Sequence, residues 1–118
     1  MNTNTIRPQF PPNLSVEELI VNAVEKLHKT GKISKTPNSF FAYRMALQKE
    51  LTARNYYPNM CDLSIIAGNL WIQEPQYIKA EYQRLVHDAK ILFEEYCHHA
   101  FLPYSINQEQ QQNLYYFY

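Results

Sequence analysis

The stretch Lys35-Thr36-Pro37-Asn38-Ser39-Phe40-Phe41-Ala42-Tyr43-Arg44 carries a basic, proline-bearing run into a helix with two adjacent phenylalanines on its first turn. Neighbouring helical residues sit about 100° apart around the axis, so one face cannot bury both rings. Phe40, Tyr43, Leu47 and Leu51 recur at core spacing. Phe41 falls instead beside Arg44, Met45 and Gln48 on a polar flank. A bulky ring displaced from the core face, between Asn38 and Arg44, needs a reason other than filling the interior.

Upstream, residues 1–13 are polar and carry Pro8, Pro11 and Pro12, which predicts a flexible N-terminus. Residues 14–31 then read as an amphipathic helix. Ser15 is placed to cap it, Glu18 completes a capping box, and Leu14 is placed to staple onto Leu19. Val16, Leu19, Ile20, Ala23, Val24 and Leu27 repeat at helical spacing up to Gly31, a left-handed stop. That stripe must bury against the rest of the chain or against a partner protein. Pro37 keeps Thr36 out of helical geometry, so residues 32–37 are expected to be extended.

Downstream, the helix opened by Asn38 should run to about Arg54, where Asn55-Tyr56-Tyr57-Pro58-Asn59 makes a turn. A second begins near Cys61 or Asp62, turns Leu63, Ile66, Ala67 and Leu70 inward, and ends at about Ile72 or Gln73. Pro75 is suited to the first position of a third. There Ile78, Tyr82, Leu85, Ala89, Leu92 and Tyr96 form a long stripe until Pro103 stops it. Residues 100–118 are a low-complexity Gln/Tyr-rich tail, assigned no fold.

Lys35 to Arg44 resembles the opening of an HMG box of the fungal mating-type kind, whose pattern is roughly Arg-Pro-Pro-Asn-Ala-Phe-aliphatic-aliphatic-Tyr-Arg. Leu63-Ser64-Ile65-Ile66-Ala67-Gly68-Asn69-Leu70-Trp71 is similar to the second helix of that box. Glu74-Pro75 with Arg84-Leu85-Val86-His87-Asp88-Ala89-Lys90 is similar to the third. The resemblance covers about Lys35 to Tyr96. It implies an all-α fold: a three-helix, L-shaped box over residues 32–99, preceded by the additional helix at 14–31. Three places depart from the pattern. Thr36 stands where a first proline is usual, Met60-Cys61 replace a polar pair, and no basic tail follows the third helix.

The family binds the minor groove of double-stranded DNA at A·T-containing sites, wedging an apolar side chain between base steps to bend the duplex. On that resemblance Phe41 is the wedge and Phe40 its support. Asn38 and Ser64 face the groove, where adenine N3 and thymine O2 accept hydrogen bonds. Lys35 and Arg44 hold phosphate or line the groove. Tyr43 and Trp71 form the aromatic centre, with Leu47, Leu63, Ile66, Leu70, Leu85 and Ala89 completing the core. Several of these readings also have a structural alternative: Asn38 as a helix cap, Phe41 packed under the 14–31 helix, Ser64 as a first-turn serine, and the Lys26–Lys35 spacing as a solvated face.

The 118 residues carry eleven Lys+Arg and eleven Asp+Glu, an unpromising balance for a nucleic-acid ligand. The distribution is polarised: from Lys26 to Arg54 there are seven cations against one acid, Glu50. So few cations imply modest affinity and weak salt dependence. Cys61 and Cys97 make no disulfide scaffold, and no membrane span or secretory signal is evident. Cys97-His98-His99 point apart on a helix and predict no metal site. Neither a nucleophile arrangement nor a phosphate loop appears, so neither an enzyme nor a cofactor is expected. Two readings remain: a nuclear, sequence-specific transcription regulator, or a degenerate box that binds proteins through the 14–31 helix and aromatic tail.

Overall fold

Each helix begins where the sequence offers an oxygen to a bare backbone amide. The computed structural model describes residues 6–101. Their order is α1 (Val16–Thr30), α2 (Ser39–Ala53), α3 (Met60–Gln73) and α4 (Gln76–Phe101), with no strand among the described residues. Ser15 Oγ accepts from the Glu18 amide and Glu18 Oε1 from the Ser15 amide, both at 3.1 Å, completing the capping box. Asn38 Oδ1 accepts from the Phe41 amide at 2.9 Å, and Asn59 Oδ1 from that of Asp62 at 2.8 Å. The Pro75 carbonyl accepts from Ile78 and Lys79 to open α4.

The ends are equally local. Gly31, at φ 70°, donates to the Leu27 carbonyl at 2.8 Å. Asn55 is left-handed at φ 60°. With Asn55 N–H to Thr52 and Tyr56 N–H to Leu51, both at 2.9 Å, it closes α2 in a Schellman motif. No helix among the described residues is long and apolar enough to cross a membrane. The tail from residue 102 onward, and residues 1–5, lie outside the described residues.

α2 packs against both α3 and α4, and α1 lies along α4. The stripe on α1 therefore buries within the chain: Leu19, Ile20, Ala23 and Leu27 belong to the same core as α2 and α4. Of the core residues read from sequence, Tyr43, Leu47, Leu63, Leu70, Leu85 and Ala89 are buried, while Ile66 and Trp71 are half-buried at its margin. Tyr43, Trp71 and Tyr82 form the aromatic centre. Their ring centroids are 5.1 Å (Tyr43–Trp71), 5.3 Å (Tyr43–Tyr82) and 6.0 Å (Trp71–Tyr82) apart.

The α4 stripe holds as far as Ala89 and then shifts by one residue. Phe93 and Cys97 are buried, whereas Leu92 and Tyr96 are half-buried at its edge. The neighbour changes along α4: Tyr82 meets Tyr43 of α2, while Tyr96 meets His28 of α1. A second neighbour arriving from another side rotates the covered face.

Residues 6–13 contain no helix or strand, as their prolines imply, yet this segment is anchored to the domain. Ile6 is buried. Arg7 Nη1 donates to Glu74 Oε1 at 2.6 Å, and the Tyr43 hydroxyl donates to Glu74 Oε2 at 3.1 Å. Glu74 is only 8% exposed. A carboxylate so placed is costly unless both oxygens are engaged. Here they are, and the pair of bonds joins the N-terminal segment, α2 and the α3–α4 turn.

Candidate nucleic-acid interface

The first turn of α2 sets the site. Because Ala42 and Tyr43 take the core face, Phe41 is turned out and remains 42% exposed. Phe40 sits between the two environments, half-buried, with its ring 6.5 Å from Trp71 and 6.2 Å from Phe41. The Arg44 guanidinium lies over the Phe41 ring at 4.5 Å from its centroid, a cation–π contact. Its Nη1 also donates to Ser64 Oγ on α3 at 2.8 Å. Asn38, Phe41, Arg44 and Ser64 are thus gathered at one place, with Asn38 capping the helix that presents the ring.

Phe41 does not pack beneath α1. It lines a cleft of about 840 Å³ between α1, the extended segment and α2. Lys26 and Lys35 join Arg44 on its walls. A second cleft, of about 360 Å³, lies on the other side of the extended segment, where Lys35 and Asn38 face His87 and Lys90 of α4. Lys35 and Asn38 line both clefts, so the segment read as extended runs between two grooves that carry cations.

Two other cations of the basic region are committed elsewhere. Lys49 pairs with Glu18 of α1 and donates to the Asn13 carbonyl at 2.9 Å. The hydrogen bond from Lys49 holds the Glu18 carboxyl below its ordinary pKa. Arg54 pairs with Glu50 at 3.4 Å. The positive region of the sequence therefore narrows to a smaller group around the two clefts.

Every DNA-facing residue expected from sequence lies at or beside these clefts: Lys35, Asn38, Phe41 and Arg44 line the larger one, Ser64 is tied to Arg44, and Phe40 stands behind Phe41. Lys26 is also a cleft wall. His87 and Lys90 were missed. Gln83, His87 and Lys90 recur at three- and four-residue spacing on one flank of α4, but nothing in that spacing names residues 35–38 as their neighbours. Cys97 is buried in the core and Cys61 is exposed.

The geometry describes an all-α domain with a cation-lined cleft and a protruding aromatic side chain at its mouth. The chain is similar to fungal mating-type proteins. The chain is similar to the MAT+ sexual cell fertilization-promoting factor of Podospora anserina, with 33% identity over 74 residues, which cover 62% of this chain and 18% of that protein. It is also similar to mating-type protein a-1 of Neurospora crassa, with 28% identity over 69 residues, 58% of this chain and 18% of the other. The matched region is thus a small part of these curated relatives. No family model matches the chain, and no solved structure matches it.

Proposed function

We propose that this chain is a minor-groove DNA-binding domain of the fungal mating-type HMG-box kind, with residues 32–99 forming the box and α1 bracing it. It acts in the nucleus as a regulator of mating-type transcription and has no enzymatic activity. One observation carries the reading: Phe41 is exposed on the first turn of α2, with the Arg44 guanidinium against its ring, at the mouth of a cleft that also holds Lys26 and Lys35. An apolar ring beside cations is what prying apart a base step requires. The ring replaces lost stacking and the cations hold the phosphates on either side. The similarity to two mating-type proteins supports the biological setting.

The competing reading, a box turned protein-interaction module through the 14–31 helix and the aromatic tail, loses only part of its surface, because Leu19, Ile20, Ala23 and Leu27 of α1 are buried within the chain, while the tail lies outside the described residues. Titration of the full chain with a short A·T-containing duplex at low and moderate salt, with bending measured on end-labelled DNA, tests the proposal. Saturable binding with a bend that depends on Phe41 is expected. No binding at any salt, or an unchanged bend in Phe41→Ala, would refute it.

A further inference from the structure

We propose that the groove between the first turn of α1 and the outer flank of α4 docks a cationic amphipathic helix of another protein. The groove, about 360 Å³, has an apolar floor of Val16, Ile91 and Leu92 and an acidic rim of Glu17, Asp88 and Glu95. Ile91 is 42% exposed, and Val21, one turn beyond Glu17 on α1, is 46% exposed. An apolar strip left open between helices is a place for a third helix to lie.

The charges choose the occupant. Arg84 Nη1 holds Asp88 Oδ2 at 2.9 Å and partly neutralises it, which leaves Glu17 on the α1 side and Glu95 on the α4 side as the other acids of the lining. An acid in the first turn of α1 offsets the helix dipole, and this accounts for Glu17. It does not account for Glu95 on the opposite wall. Nine residues separate Glu17 from Lys26, which places them about 180° apart around α1. The acidic groove and the cationic cleft are therefore on opposite flanks of one helix. Nucleic acid is repelled here, as is an acidic peptide. The complement is a helix with a Leu, Ile or Met stripe flanked by Lys and Arg. A second copy of this chain does not supply one: the apolar stripes of its α1, α2 and α4 are buried, and α3, whose Ile65 and Ile72 are exposed, carries no Lys or Arg. The inference stands whether or not the opposite cleft holds DNA.

The test uses two synthetic helices of about five turns with the same leucine stripe, one flanked by Lys and Arg and the other by Glu. Each is titrated into the isotope-labelled full chain. The cationic peptide should shift amides at 16–21 and 88–95 saturably, leaving Asn38 and Phe41 unmoved. In Glu17→Lys/Glu95→Lys its affinity should fall about tenfold or more, and the acidic peptide should become the better ligand. Both positions are exposed, so the fold should survive. Glu17→Gln/Glu95→Gln, with a smaller loss expected, serves if the lysines lower the melting temperature. Equal binding of the two peptides, unchanged affinity in both variants, shifts confined to other regions, or self-association through these amides without peptide would each overturn the proposal.

Discussion

Arg44 Nη1 donates to Ser64 Oγ at 2.8 Å, linking α2 to α3 across 20 residues of sequence. The same guanidinium covers one face of Phe41. Arg44 therefore has two tasks that a point charge cannot share, since a planar fork stacks on a ring while it donates at its edge. Arg44→Lys keeps the charge and loses the stacking. Its DNA affinity should fall several-fold while the slope of log K against log salt stays unchanged. Arg44→Ala should also flatten that slope by about 0.9, the value of one released phosphate contact. Binding isotherms at three salt concentrations separate the two, and an unchanged slope in Arg44→Ala would remove the residue from phosphate contact.

Under the proposed function, Phe41 has more work to do on a ligand than in the core. Truncation of a ring that is 42% exposed should cost about 1 kcal/mol or less of stability. It should abolish most of the DNA bend while affinity falls by a smaller factor, because the cations of the cleft remain. Phe40 behaves differently, since its ring lies against Trp71. Phe40→Ala should lower the melting temperature and weaken binding together. Melting curves and bending assays on the pair check the division of labour.

Helix ends were readable from sequence because caps are local: Ser15 with Glu18, Asn38 and Gly31 act within four residues of themselves. The outward turn of Phe41 was readable too, since spacing alone separates it from the Tyr43 face. What depends on the approach of distant helices was not. Phe93 and Cys97 join the core on a helix that packs against both α1 and α2. In the sequence, Glu74 reads only as part of the opening of the third box helix, with no buried role. Its partners Arg7 and Tyr43 are 67 and 31 residues away. His87 and Lys90 reach the second cleft only because α4 returns beside residues 35–38.

Two buried tyrosines should respond oppositely to loss of the hydroxyl. Tyr43 donates to buried Glu74, so Tyr43→Phe leaves a carboxylate oxygen without that donor and should cost about 1–3 kcal/mol. The Tyr82 hydroxyl is buried with no hydrogen-bond partner among the described residues, so Tyr82→Phe should be neutral or mildly stabilising. Chemical denaturation at pH 7 distinguishes them.

Alkali should expose the same pair. Burial, reinforced by the Glu74 charge, raises the pKa of both Tyr43 and Tyr82. Above about pH 10 the unfolded chain releases these protons while the folded chain retains them, so stability is full below that pH and falls as pH rises. The slope should approach about 1.4 kcal/mol per pH unit for each tyrosine. Denaturant midpoints from pH 8 to 12 should fall, and less steeply in either Phe variant. A pH-independent midpoint would contradict the burial of both hydroxyls.

Asn38 caps α2 through Oδ1 alone, so its amide hydrogens are the groups that would donate to adenine N3 or thymine O2 under the proposed function. Substitutions divide the roles. Asn38→Ala should cost about 1 kcal/mol of stability and relax the preference between DNA sites. Asn38→Asp keeps a capping oxygen and adds favourable charge at the helix N-terminus, so stability should hold or rise. Placed against phosphates, that charge should lower affinity for every site. Asn38→Ser should keep most of the cap and still lose about 1–3 kcal/mol of site discrimination. Melting temperatures combined with competition between matched and mismatched duplexes measure both quantities on the same proteins. If Asn38→Ser discriminates as well as the native chain, Asn38 serves the helix and not the groove.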